Sequence, residues 1–204
     1  MKIQVLAEQV ASKIAAGEVV ERPVSVVKEL IENSIDAAAT RIIVETVDGG
    51  TRSIRVVDNG IGIPAEELEI ALERHATSKI TKETDLEDLH TMGFRGEALP
   101  SIGAVSRLVI TSRARGFPHG GFVETLYGKK GESGPAGSAE GTSVLVEGLF
   151  ENVPARKKFL KSTSAETARI NSMVNKLALA HPRIGFTLIS NGSEKFNSNG
   201  SGNL

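Results

Sequence analysis

Three groups of residues in this 204-residue chain have the types and spacing to do chemistry. The first is Glu29, Asn33 and Asp36. On a helix they fall within an arc of about 60°. Three oxygen-bearing side chains thus share one stripe, opposite an apolar face made by Val27, Leu30, Ile31 and Ala38. Carboxylate and amide oxygens suit magnesium, which keeps waters and phosphate oxygens in its remaining positions. A carboxylate beside such an ion can also take a proton from an attacking water. Taken alone, the stripe reads more readily as a solvated helix face.

The second group is Asp58-Asn59-Gly60-Ile61-Gly62, where a β-branched run ends in an acid and two glycines. Glycines let backbone approach a flat ligand closely, and a strand-end carboxylate accepts a hydrogen bond from a donor such as an exocyclic amine. A tight strand-to-helix turn capped by Asp58 is the competing reading. The third group is Gly93-Phe94-Arg95-Gly96-Glu97-Ala98-Leu99, a glycine-bounded loop leading into a helix. Successive amides and a helix N-terminus can cradle phosphate oxygens, and the glycines would let the loop close over a ligand. A plain hinge fits it as well. No G-x-x-x-x-G-K-[ST] occurs, so a Walker loop is excluded.

The elements that must carry these groups follow from periodicity. Pro23 to Ala38 has helical spacing and begins with a proline suited to a first turn. Arg41 to Val47 and Ser53 to Val57 read as strands of an antiparallel hairpin turning at Asp48-Gly49-Gly50. Residues 65–76 have helix spacing with acids at the start. Thr77 to Gly96 reads as a long mobile segment, followed by a short helix over 97–102. Strands are expected at 106–112, 121–127 and 142–147, with the turn-rich residues 128–141 as a flexible surface loop. A short helix through Phe159, a longer one over 165–180 and a last strand over 186–190 complete the pattern. A short strand or arm at 2–6 and weak helical spacing at 8–16 precede it. Hairpins with helices inserted predict an α+β two-layer sandwich, a mixed and mostly antiparallel sheet with helices on one face.

Bulk properties leave the partner open. A formal net charge of −1 gives no global pull toward nucleic acid, so any DNA contact needs a local patch. The absence of cysteine excludes a disulfide framework, a thiolate zinc site and a cysteine nucleophile. The four histidines show no metal-ligand spacing, and His75 and His90 read as packing or surface residues. The first twenty residues lack a signal-peptide pattern and no run reaches the length of a membrane span, so a cytoplasmic location is expected.

Glu29 with Asn33, then Asp58-x-Gly60-x-Gly62, then the glycine-bounded loop, then Gly141-Thr142 at a strand start resemble, in this order and at these separations, four motifs of one superfamily. It contains DNA gyrase, the heat-shock chaperone, histidine kinases and MutL. The runs QVLAEQVASKIAAGEVVERPVSVVKELIENSIDA, HATSK, GFRGEAL and NVPARKKFLKS resemble the MutL family of DNA mismatch repair proteins in particular, over the chain up to about Asn191. The resemblance implies a Bergerat-type fold divided into an N-terminal arm (1–20), an ATP-binding domain (21–191) and a tail or linker (192–204). It implies a magnesium-dependent ATPase that hydrolyses ATP slowly and couples nucleotide state to dimerisation and partner engagement. Its alternatives are a nucleotide-gated interaction module with negligible turnover, or a chaperone or topoisomerase relative.

Residue by residue, the resemblance implies that Glu29 is the general base, Asn33 the Mg2+ ligand and Asp58 the adenine reader, with Thr142 at the base. Gly60 and Gly62 would shape the adenine pocket. Thr77, Ser78, Lys79 and the run Gly93, Phe94, Arg95, Gly96 and Glu97 would contact phosphates. Asp36 shares the Glu29 stripe, as a structural or a catalytic group. Implied partners are a mismatch-recognition protein, a nicking endonuclease and, in the full-length protein, a second copy bound in an ATP-dependent way. Arg156, Lys157 and Lys158, with Lys161, form a basic cluster that could track a phosphate backbone or simply face solvent. Pro100 and Val153 depart from the family's pattern, Pro100 in a way that could stiffen the helix behind the loop. MutL proteins also continue into a second domain that supplies a lysine to the terminal phosphate, so impaired hydrolysis is expected of these residues alone.

Overall fold

The computed structural model describes residues 4, 16–17, 19–79, 91–93 and 96–202. Most of the expected arm, the middle of the 77–96 segment, and Phe94 and Arg95 lie outside them. Helix α1 (Pro23–Asp36) starts on a proline, whose fixed φ suits a first turn, after an extended Arg22 that provides no side-chain cap. Its apolar stripe is Val26, Val27, Leu30 and Ile31, each at most 2% exposed. Strands β1 (Arg41–Val47) and β2 (Ser53–Asp58) form the expected hairpin around Asp48–Gly50.

Helix α2 (Ala98–Ala104) is followed by β3 (Arg107–Arg113), β4 (Gly120–Leu126), β5 (Lys129–Ala136) and β6 (Gly141–Glu147). Then come α3 (Pro154–Phe159), α4 (Thr163–Ala180), β7 (Gly185–Ser190) and β8 (Ser193–Asn197). Among the described residues, eight strands form one sheet in the order β5-β4-β3-β6-β2-β1-β7-β8. Every neighbouring pair is antiparallel except β1 and β7. This is the mixed, mostly antiparallel α+β sandwich that the alternating patterns predict.

Successive strand residues point to opposite faces, and one face is buried. Ile42 and Val44, Ile54 and Val56, Leu108 and Ile110, Val144 and Val146, Phe186 and Leu188 lie beneath the α1 stripe and Ile170, Val174 and Ala178 of α4. Fully burying each of the larger side chains contributes about 1.5–3 kcal/mol. The opposite face is half-exposed and carries ion pairs, Arg55 with Glu45 and Arg107 with Glu124 and Glu147. Asn59 locks the corner that matters for the site. Its Oδ1 accepts from the amides of Thr40 (2.9 Å) and Arg41 (2.8 Å), and its Nδ2 donates to Thr40 Oγ1 (2.8 Å), tying the end of β2 to the start of β1.

Three expectations are corrected. Residues 65–76 are not one helix: they make two short 3-10 turns, Ala65–Glu67 and Ile70–Leu72, and His75 has a φ of 65°. Only Leu68 is buried there, and Ile70 is 54% exposed, so no continuous apolar stripe holds an α-helix down. Residues 128–141 are not a loop throughout, because Lys129–Ala136 is β5, paired with β4. The sheet also does not end at Ser190. Ser193–Asn197, within the stretch expected as a tail, pairs with β7 as β8. Both missed strands are held chiefly by main-chain ladder bonds at sheet edges, which leave little mark in side-chain hydropathy. Pro100 sits at the third residue of α2, where its missing N–H would have had no intrahelical acceptor, and the helix runs on to Ala104.

Candidate functional site

The site is built along the last turns of α1. Asp58, at the end of β2, lies opposite Thr142 of β6. Its Oδ1 accepts from the amides of Gly60 (2.8 Å) and Thr142 (3.3 Å). Its Oδ2 stands 2.9 Å from Ser34 Oγ, which is also 3.0 Å from the Leu30 carbonyl, and the charged acceptor takes the single hydroxyl proton. Burial raises the Asp58 pKa above the ordinary carboxylate value, while the Gly60, Ser34 and Thr142 donors pull it down. An ionised carboxylate has about four lone-pair positions. With one donor on Oδ2, that oxygen retains capacity for a ligand amine.

The surrounding turn needs glycine. Gly62 (φ 70°) would bring a Cβ to 2.2 Å from the Arg113 carbonyl oxygen, and Gly141 (φ 109°) would bring one to 2.1 Å from that of Asp58. Gly60 packs on Ala37, whose carbonyl accepts from the Ile61 amide at 2.9 Å. Ser112 Oγ joins the three strand ends: it accepts from the Ile63 amide (2.8 Å), donates to the Gly141 carbonyl (2.9 Å) and lies 2.9 Å from Thr142 Oγ1.

One residue along α1 from Ser34 a second cluster begins. Lys79 Nζ donates to Asn33 Oδ1 at 2.9 Å and to Asp36 Oδ2 at 2.6 Å. Asp36 accepts in addition from the amides of Met92 (3.0 Å, on Oδ1) and Gly93 (3.2 Å, on Oδ2). The Lys79 amide donates to Thr77 Oγ1 at 3.1 Å, which fixes the turn that delivers the side chain. Hard oxygens of α1 therefore hold a cation, here an ammonium. Glu29 lies on the same stripe, half-buried, with Lys28 Nζ 3.9 Å from its Oε1.

The structure thus brings Asn33, Lys79 and Gly93 together, and brings Asp58, Gly60 and Thr142 together with Gly62 beside them. Gly96 packs on the Ala76 backbone, and Glu97 pairs with His75 at 2.9 Å, so His75 has a surface role. Ser78 is exposed, and Phe94 and Arg95 lie outside the described residues. Ser34 and Ser112 were not singled out from sequence. A small hydroxyl one residue after Asn33 was the available signal for the first, and the second becomes visible only once three strand ends meet.

Arg156 is spoken for within the fold. Its Nη1 donates to the Val20 carbonyl at 3.0 Å, and its guanidinium lies where a side chain at Gly17 would sit. Lys157, Lys158 and Lys161 are exposed, as is Phe159 at 80%. An open groove of about 580 Å³ between the start of α4 and the β7–β8 turn is lined by Thr163, Asn171 and Lys195 among others and touches none of the site residues. Among the described residues no three His, Asp or Glu side chains form a metal cluster, and no helix is long and apolar enough to cross a membrane.

With that geometry in place, known proteins supply the comparison. Residues 21–132 match the family described as Histidine kinase-, DNA gyrase B-, and HSP90-like ATPase. The chain is 51% identical over 203 residues to the DNA mismatch repair protein MutL of Streptococcus sanguinis (strain SK36), covering all of this chain and 31% of that protein. It is also 51% identical over 199 residues to the DNA mismatch repair protein HexB of Streptococcus pneumoniae (serotype 4), with 98% and 31% coverage. The chain therefore spans about a third of the length of these curated relatives. Among solved structures, the Aquifex aeolicus MutL ATPase domain complexed with ADP matches with a TM-score of 0.72 and 37% identity, over 90% of this chain and 65% of that one. The N-terminal domain of a DNA repair protein matches with a TM-score of 0.78 and 30% identity, over 96% and 58%.

Proposed function

Because this chain belongs to the Histidine kinase-, DNA gyrase B-, and HSP90-like ATPase family, in its MutL branch, we propose that it binds ATP with magnesium, hydrolyses it slowly and serves DNA mismatch repair. The observation that carries the reading is that one turn of α1 serves two clusters. Ser34 holds the Asp58 carboxylate while Asn33, one residue away, faces the Lys79 ammonium. Adenine would be read at Asp58, with Thr142 at the base and Gly60 and Gly62 allowing close approach. The phosphates would lie toward Lys79, the Thr77-Ser78 turn and the backbone around Gly93 to Glu97, including Phe94 and Arg95.

Asn33 fits a magnesium ligand, since its Oδ1 already accepts from a cationic group, and the ion would draw its other ligands from phosphates and water. When bound, the ion neutralises phosphate charge. Glu29, on the same stripe, would orient and deprotonate the attacking water. A titration of Mg-ATP tests this. Wild type should bind, Asn33→Ala should lose the magnesium-dependent part of the affinity, and Glu29→Ala should bind but not turn over. Wild type that binds no adenine nucleotide would refute the reading.

Turnover by these 204 residues is proposed to be weak. The cytoplasm is the proposed location, and the proposed partners are a mismatch-recognition protein, a nicking endonuclease and a second copy recruited by ATP. Weak DNA contact is proposed through Lys157 and Lys158, with Arg156 adding charge while its guanidinium holds the Val20 carbonyl. Charge reversal at Lys157 and Lys158 should flatten the salt dependence of DNA binding, and an unchanged slope would exclude that surface.

A further inference from the structure

Asp36 is an acid where a helix does not favour one. It is the last residue of α1, where the carbonyl ends concentrate partial negative charge and cations are preferred. Its side chain is only 6% exposed. A carboxylate so placed persists when donors surround it, and three do: the Lys79 ammonium at 2.6 Å and the amides of Met92 and Gly93. These donors come from two separate stretches of chain, and both stretches carry groups assigned above to phosphate.

We propose that Asp36 is a positioning residue for nucleotide binding, holding the Lys79 ammonium against Asn33 and fixing the Met92–Gly93 backbone beside it. The inference rests on the nucleotide reading above and adds a part for a side chain that would touch neither metal nor ligand. A lysine ammonium rides on a flexible four-carbon stem with rotamer freedom to lose. A second anchor on α1 spends that entropy during folding, so that phosphate meets a cation already in position. Asn33 alone cannot do this, because one neutral carbonyl holds an ammonium less firmly than a carboxylate at 2.6 Å.

Three readouts on the full chain test the proposal. In wild type without nucleotide, acetylation of Lys79 by acetic anhydride, followed by peptide mass spectrometry, should be slow; Asp36→Asn should make it several-fold faster. ADP affinity should fall about tenfold in Asp36→Asn, while affinity for adenosine, which has no phosphate, should hold. Asp36→Glu returns the charge and should recover part of the ADP affinity.

If Asp36→Asn does not fold, Lys79→Met should reproduce the selective loss of ADP over adenosine. Unchanged Lys79 acetylation, or equal loss of ADP and adenosine, would overturn the proposal. Wild type failing to bind ADP would instead sink the nucleotide reading and this inference with it. Wild type binding ADP with Asp36→Asn indistinguishable from it would sink the Asp36 assignment alone.

Discussion

Burial and hydrogen bonding pull Asp58 in opposite directions, and burial wins. With its folded pKa above the ordinary Asp value, the native state binds the proton more tightly than the unfolded chain. Stability therefore falls as pH rises from the usual Asp range, about 3.9, through the raised value. Asp58→Asn should remove that descending segment from a plot of urea-unfolding free energy against pH; an identical plot would exclude Asp58 as its source. The same substitution should weaken ADP binding about 10- to 100-fold, the worth of one hydrogen bond to a charged acceptor, as read by calorimetry.

Ser34→Ala takes a donor from Oδ2 and should cost about 1 kcal/mol of stability, measured by the same unfolding experiment. At this scale the sequence offers candidate residues but not the contacts that hold them. Glu29, Asn33 and Asp58 could be picked out because a helical arc and a strand-end acid leave a pattern. The pairing of Asp36 with Lys79 could not, because residues 43 positions apart meet only through the fold.

The glycines at the strand ends belong to the elements more than to any one contact. Gly141 begins β6 at φ 109°, against the carbonyl of Asp58. Gly141→Ala should cost at least about 1–2 kcal/mol from the left-handed backbone alone and more from the contact. Denaturation midpoints with unchanged m-value would measure it, and a neutral effect would mean that the β2–β6 junction relaxes freely. Elements with a buried stripe, such as α1 and β1, were legible from periodicity because side-chain burial is what forms them. β5 was not, since its residues are largely exposed and its order comes from the β4 backbone. The two 3-10 turns after Pro64 show the converse, helix-like spacing in which only Leu68 is fully buried and Leu72 packs partly against the core.

For the whole molecule, the two-layer architecture followed from the order of patterns, but the extent of the sheet did not. β8 covers the edge of β7 and brings Phe196 against the core. A chain ending at Asn191 should lose about 1–3 kcal/mol of stability and expose a strand edge that favours self-association, visible as a lower thermal midpoint and a concentration-dependent light-scattering signal. Equal midpoints would make β8 dispensable. The parallel pairing of β1 with β7, the one such pair among the described strands, bears on the order of events during synthesis. β1 is flanked by β2, its immediate successor, and by β7, which the ribosome delivers near the end of this stretch. Such distant pairings slow folding, so the hairpin beside α1 keeps an open flank until β7 has been made, a nascent intermediate that a chaperone would be well placed to shield.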